Sequence, residues 1–92
     1  PEHREFAIET FTAFDVVHRF ELDVGKTIYE KSPNATAALA RLKEARDYIK
    51  ETISAAFRKL KEAGKTLTTG RIKHVVKDAL QETFEVFEGY IK

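Results

Sequence analysis

The sequence predicts an all-α fold: an up-down-up antiparallel three-helix bundle with a long central helix. Three observations lead there. Apolar residues recur at 3-4-3-4 spacing for about thirty positions between Ser32 and Gly64, with no breaker after Pro33. The stretches before and after it keep the same period, and no run alternates with period two as a half-buried strand would. Both connections are short, which makes consecutive helices antiparallel neighbours. The 92 residues read as one domain.

Helix one spans about residues 3–24, or continues to 31. Glu2 and Glu5 suit the positive end of its dipole. One apolar face consists of Phe6, Ala13, Val17, Phe20, Val24 and Ile28. Gly25 sets the alternative, since it either ends the helix or sits inside it at about 1 kcal/mol relative to Ala. Continuity is preferred.

Helix two covers about residues 33–63. Ser32 is the expected N-cap, and Pro33 occupies the first helical position, where its missing N–H costs nothing. Its seam is Leu39, Leu42, Ile49, Ile53, Ala56, Leu60 and Ala63, with Arg46 the one seam position that is not apolar. Arg58, Lys59 and Lys61 complement the negative end of the dipole, and Gly64 takes the left-handed position just beyond the helix.

Helix three covers about residues 69–91. Thr68 caps it, and Leu67 with Ile72 has the spacing of a hydrophobic staple. Its core face runs through Ile72, Val75, Val76, Ala79, Leu80, Thr83, Phe84, Phe87, Tyr90 and Ile91.

Composition narrows the function classes. The chain has no cysteine, which removes disulfides, thiolate chemistry and cysteine-ligated zinc. No stretch approaches the roughly 20 apolar residues of a membrane span, and no charged-then-apolar leader is seen. A cytoplasmic, soluble protein is expected. Charged residues make up 34% of the chain, with one Asn (Asn34) and one Gln (Gln81). Many charges with few thermolabile residues point to a thermophile.

The most informative surface feature is on helix one. At 100° per residue Ala7, Phe11, Phe14, His18 and Leu22 form a second strip beside the core face, and Tyr29 extends it if the helix continues. A helix in a monomeric three-helix bundle needs an apolar arc of roughly 100–140°, and the two strips together exceed that. Large apolar residues left in water form a patch that monomers avoid. The strip therefore reads as an interface, most simply a two-fold homodimer. The competing reading places helix one deeper in the bundle, with residues 25–31 folding back over the strip.

The charges also segregate. Residues 58–77 carry seven basic side chains (Arg58, Lys59, Lys61, Lys65, Arg71, Lys73 and Lys77) against one acidic, Glu62. They fall at the corner between helices two and three, beside the free N–H groups at the start of helix three. Such a corner suits an anion or a nucleic-acid backbone; as bland readings it is a solvated loop capping helix two, or a dock for an acidic protein surface. No base-reading motif accompanies it.

Candidate chemistry is thin. Gly25-Lys26-Thr27 and Gly64-Lys65-Thr66 lack the earlier glycine of a phosphate loop, since Phe20 and Lys59 occupy that place. Asp15-x-x-His18, followed by Glu21, resembles half of a bundle metal site that Glu82 or Glu85 would complete, but Arg46 projects into the same layer, and a fixed positive charge opposes a cation. A polar layer of Asp15, Arg46, Glu82 and Glu85 is the expected arrangement, with Arg46 paired to one of the carboxylates. No metal or cofactor is predicted, and the hydroxyls have no His–carboxylate partner at a recognisable spacing. His3 and His74 fall near one end and carry little weight. The sequence thus predicts a non-catalytic protein-interaction or scaffolding module that self-associates through helix one. Anion or nucleic-acid binding at the basic corner is the alternative, and metal binding a distant third.

Overall fold

The computed structural model describes residues 2–91, with side chains from Arg4 to Ile91. α1 (Glu2–Lys31) passes through Gly25 as one helix, so the roughly 1 kcal/mol cost of a helical glycine is carried. α2 (Ala35–Glu62) follows after three residues, and α3 (Thr69–Val86) and α4 (Glu88–Ile91) complete the chain. No strand occurs among the described residues, and no helix there is long and apolar enough to cross a membrane. The molecule measures 46 × 22 × 18 Å, its long axis matching the roughly 45 Å of a thirty-residue helix.

Polar links between helices show how they lie. Arg46 of α2 meets Glu21 of α1, and Lys61 further along α2 meets Glu5, earlier in α1. Tyr48 meets Glu82 of α3, and Glu44 meets Tyr90 beyond it. In both pairings residue numbers rise along one helix as they fall along the other.

The helix ends differ in part from expectation. Asn34, not Ser32, caps α2: its Oδ1 accepts from the Ala37 N–H at 2.8 Å. Ser32 donates its hydroxyl to the Ile28 carbonyl instead, so it finishes α1, and Pro33 lies in the connection. Both residues are good caps, and the last turn of α1 claims the first. Asn34→Ala should therefore lower stability by about 1 kcal/mol, while Ser32→Ala should leave the start of α2 intact; urea melts of the two variants check this.

The far end of α2 is closed as its glycine requires. Gly64 adopts φ +69°, and the Lys65 N–H reaches the Leu60 carbonyl at 3.0 Å, the six-to-one bond of a Schellman turn. Thr68 caps α3, its hydroxyl accepting from the Arg71 N–H at 3.2 Å. α3 stops at Val86, earlier than the predicted 91, and one further turn follows. That turn keeps the register: Phe87 lies edge-on to Tyr48, and Tyr90 donates to Glu44 at 2.9 Å beneath the Arg41 guanidinium.

The core is built from Val16, Val17, Phe20, Val24 and Ile28 of α1, Ile49, Ile53 and Phe57 of α2, and Val75, Val76 and Ala79 of α3. Phe20 stacks on Phe84 with centroids 5.5 Å apart. Two buried hydroxyls are satisfied locally, Thr12 on the Ile8 carbonyl and Thr83 on the Ala79 carbonyl, so neither leaves an orphan donor. The α2 seam is rotated from expectation. Ala38 and Ala45 are buried, whereas Leu39 and Ala63 are exposed and Leu42, Ala56 and Leu60 are half-buried. Small residues facing inward let neighbouring backbones approach, and the bulkier leucines move to the rim. Phe6 also leaves the predicted core, because at its level it borders an open cleft with Phe57 and Leu67.

Candidate interaction surface

The core of α1 and its second strip lie on opposite sides of one continuous helix. Phe20, Val16 and Val24 point into the bundle; Phe11, Phe14, His18 and Leu22 point away from it. Phe11 is 73% exposed, Phe14 60%, Leu22 71% and Tyr29 45%, with Ala7 half-buried at the strip's start. The segment 25–31 does not fold back, since it is part of the helix. Among the described residues no side chain covers Phe11, Phe14 or Leu22.

One further apolar residue widens this surface: Leu39 of α2 is exposed and shares a cleft of about 450 Å³ with Gly25, Tyr29 and Leu42. Phe6 is exposed as well, but on the core side of α1, where it lines a separate cleft with Phe57 and Leu67. Sequence reading placed both in the core. For Leu39 the available signal was the neighbouring alanines: Ala38 and Ala45, seven apart, can share an inward face from which Leu39 is turned aside.

Charged groups flank the strip. Asp15 and Arg19 pair at 3.1 Å and Lys26 lies 3.9 Å from Glu30, both one helical turn apart. On the other flank Arg46 donates to Glu21 at 2.8 Å.

That last contact corrects the predicted polar layer. Arg46 pairs with Glu21, Asp15 with Arg19, Glu82 accepts from the Tyr48 hydroxyl at 2.8 Å, and Glu85 accepts from Gln81 at 3.5 Å. The four residues Asp15, Arg46, Glu82 and Glu85 therefore serve separate local pairs. The physical reason is reach: α1 turns Glu21 towards α2 at the level of Arg46, and Asp15 outward. The Glu82 carboxylate holds the Tyr48 hydroxyl protonated to higher pH than usual, chiefly through that hydrogen bond, and Glu44 does the same for Tyr90. Among the described residues no group of three His, Asp or Glu side chains is placed to hold a metal ion. His74 pairs with Asp78 at 3.0 Å, and His3 lies outside the described side chains.

The seven basic residues are spread over more than one surface. Arg58, Lys61 and Lys65 line one cleft, together with Glu5, Glu9 and Phe6. Arg58 also lines a second one, with Lys59, Glu51, Asp78 and Glu82. Arg71 is spent on the connection, donating to the Thr66 carbonyl at 2.7 Å. Lys73 and Lys77 are exposed on α3.

Fold and surface together define a helical-bundle protein whose first helix carries an apolar face that the other described residues leave exposed. Over residues 1–87 the chain matches the family model described as Qat anti-phage system associated protein QatB, and it belongs to the QatB family. No curated protein and no solved structure matches it.

Proposed function

We propose that this chain is a non-catalytic scaffolding component of an anti-phage system, an up-down-up antiparallel bundle that self-associates through the outer strip of α1. The family description supports a part within a larger system. The observation that carries the reading is the exposure of Phe11, Phe14 and Leu22 on one face of a long, unbroken helix. A contiguous patch of that kind marks an interaction site in a soluble protein. Self-association is favoured over a dissimilar partner because the strip meets its own likeness: an extended apolar face can pair with an identical one across a two-fold axis.

The area is sufficient. Aromatic side chains bury 150–250 Å² each, so Phe11, Phe14, Leu22 and Tyr29 together expose roughly 500 Å². Pairing two such faces removes on the order of 1,000 Å² from water before the flanks are counted, the lower bound for a specific interface. The basic corner is the weaker surface for phosphate, because Glu5 and Glu9 line the same cleft as Arg58, Lys61 and Lys65 and repel an anion.

The test compares the chain with its Phe14→Glu/Leu22→Glu double variant by sedimentation velocity. A dimer for the first and a monomer for the second supports the reading. Equal sedimentation as monomers, or a dimer that survives both substitutions, overturns it.

A further inference from the structure

The strip on α1 has a symmetry that fixes how two copies would meet. Its members, with Gly25 included, are Ala7, Phe11, Phe14, His18, Leu22, Gly25 and Tyr29. The intervals are 4, 3, 4, 4, 3 and 4, a palindrome about His18. The period is three positions in eleven, slightly longer than the 3.6 of a straight helix, so the strip keeps two helices in contact with a slight right-handed coiling.

We infer that two copies of this chain pair through α1 in antiparallel orientation, with the two-fold axis passing between the His18 residues. The inference rests on the self-association reading above and adds its register. With His18 opposite its twin, each residue faces the one whose number makes up thirty-six. Phe14 then meets Leu22 of the second copy. Phe11 meets Gly25, and Tyr29 meets Ala7. Each large ring at the outer positions is thus set against a small residue, as interdigitating packing requires.

Gly25 gives the register an independent mark. A methyl group built there would find one atom near it, the Glu21 Cβ at 3.9 Å. No crowding among the described residues demands glycine there, although glycine inside a helix is unfavourable. Gly25 is itself buried, at the base of a cleft that it lines with Tyr29, Leu39, Leu42 and four charged residues, and the register delivers the Phe11 ring of the second copy to that cleft.

Charge agrees with shape. In an antiparallel pair related by a two-fold axis, like flanks face each other. Asp15 of one copy lies about two residues, or roughly 3 Å, along the axis from the level of Arg19 of the other, and both are on the same flank. Arg4 and Glu30 come together in the same way near the two ends. A parallel pair would instead set Phe11 against Phe11 and Gly25 against Gly25, and would place Asp15 and its twin on opposite flanks.

The absence of native cysteine makes cross-linking a clean test. Single-cysteine variants Ala7→Cys, His18→Cys and Tyr29→Cys are oxidised alone and in the mixture Ala7→Cys with Tyr29→Cys, and the mass of each reduced variant is measured in parallel. Disulfides need Cα atoms within about 7 Å, whereas like residues at position 7 or 29 would stand about 33 Å apart along the axis. His18→Cys is expected to link to itself. The mixture is expected to link in at least about tenfold excess over either member alone. Strong self-linking of Ala7→Cys and Tyr29→Cys would show a parallel pair, and a dimeric mass without His18→Cys linking would show another register or face; either overturns this inference while self-association stands. Monomeric mass for all three variants overturns both.

Discussion

Phe14→Glu combined with Leu22→Glu is expected to weaken self-association by more than about a hundredfold, equivalent to about 2.7 kcal/mol, without unfolding the chain. Both residues are well exposed on the outer face of α1, so the isolated bundle loses no core contact. Glu is a good helix former, and surface changes away from caps and cores stay within about 0.5 kcal/mol. In the dimer the same changes remove two large apolar contacts per chain near the interface centre, where truncations cost most. They also set two pairs of carboxylates face to face in desolvated layers about 12 Å apart. The expected signature is a monomer with unchanged helical circular dichroism and a melting temperature that no longer depends on protein concentration. A double variant that loses its helix signal would instead place Phe14 and Leu22 within the fold.

Phe20→Ala is expected to have the largest effect on stability. Phe20 is 1% exposed, on the opposite side of α1 from the strip, and its ring packs against Phe84. Removing a buried phenylalanine costs about 3–5 kcal/mol from lost transfer energy and the cavity left behind. A domain of this size has about 5–15 kcal/mol in all, so the variant should lie close to the folding threshold at moderate temperature. Chemical denaturation read by circular dichroism gives the value directly. A loss below about 1 kcal/mol would contradict the position of Phe20 at the centre of the bundle. Set beside the strip variant, it separates the two faces of one helix: one carries the fold and the other the association.

Helix period was legible because the apolar residues repeat at 3.6, and the inward face of α3 from Val75 to Thr83 needed nothing more. Continuity through Gly25 was a balance of a small local cost against the packing of Val24 and Ile28 on either side, both buried. Other features depend on quantities a sequence does not state. Ser32 and Asn34 are equivalent caps by type, and the choice rests on which carbonyl of the preceding helix lies within reach. Leu39 and Ala38 are neighbours, and a rotation of α2 by a fraction of a turn decides which faces the core. The Arg46–Glu21 pair requires the axial offset of α1 against α2 to within a few ångström, so matching helix levels by counting residues led to Asp15, Glu82 and Glu85 instead. Phe11, Phe14 and Leu22 were recognisable as surplus because two apolar strips cannot both face one core. The pairing of Phe11 with Gly25 emerges only once the helix is known to be unbroken and the cleft beside Gly25 is seen to be open.

The most direct measurement is the mass of the unmodified chain in solution across a dilution series from about a micromolar to several hundred micromolar, the range in which a modest interface of this area would dissociate. Twice the 10.5 kDa chain mass is expected at the upper concentrations, falling towards the single-chain value on dilution. A mass of one chain throughout would contradict it, for the apolar face of α1 would then stand in water unpaired.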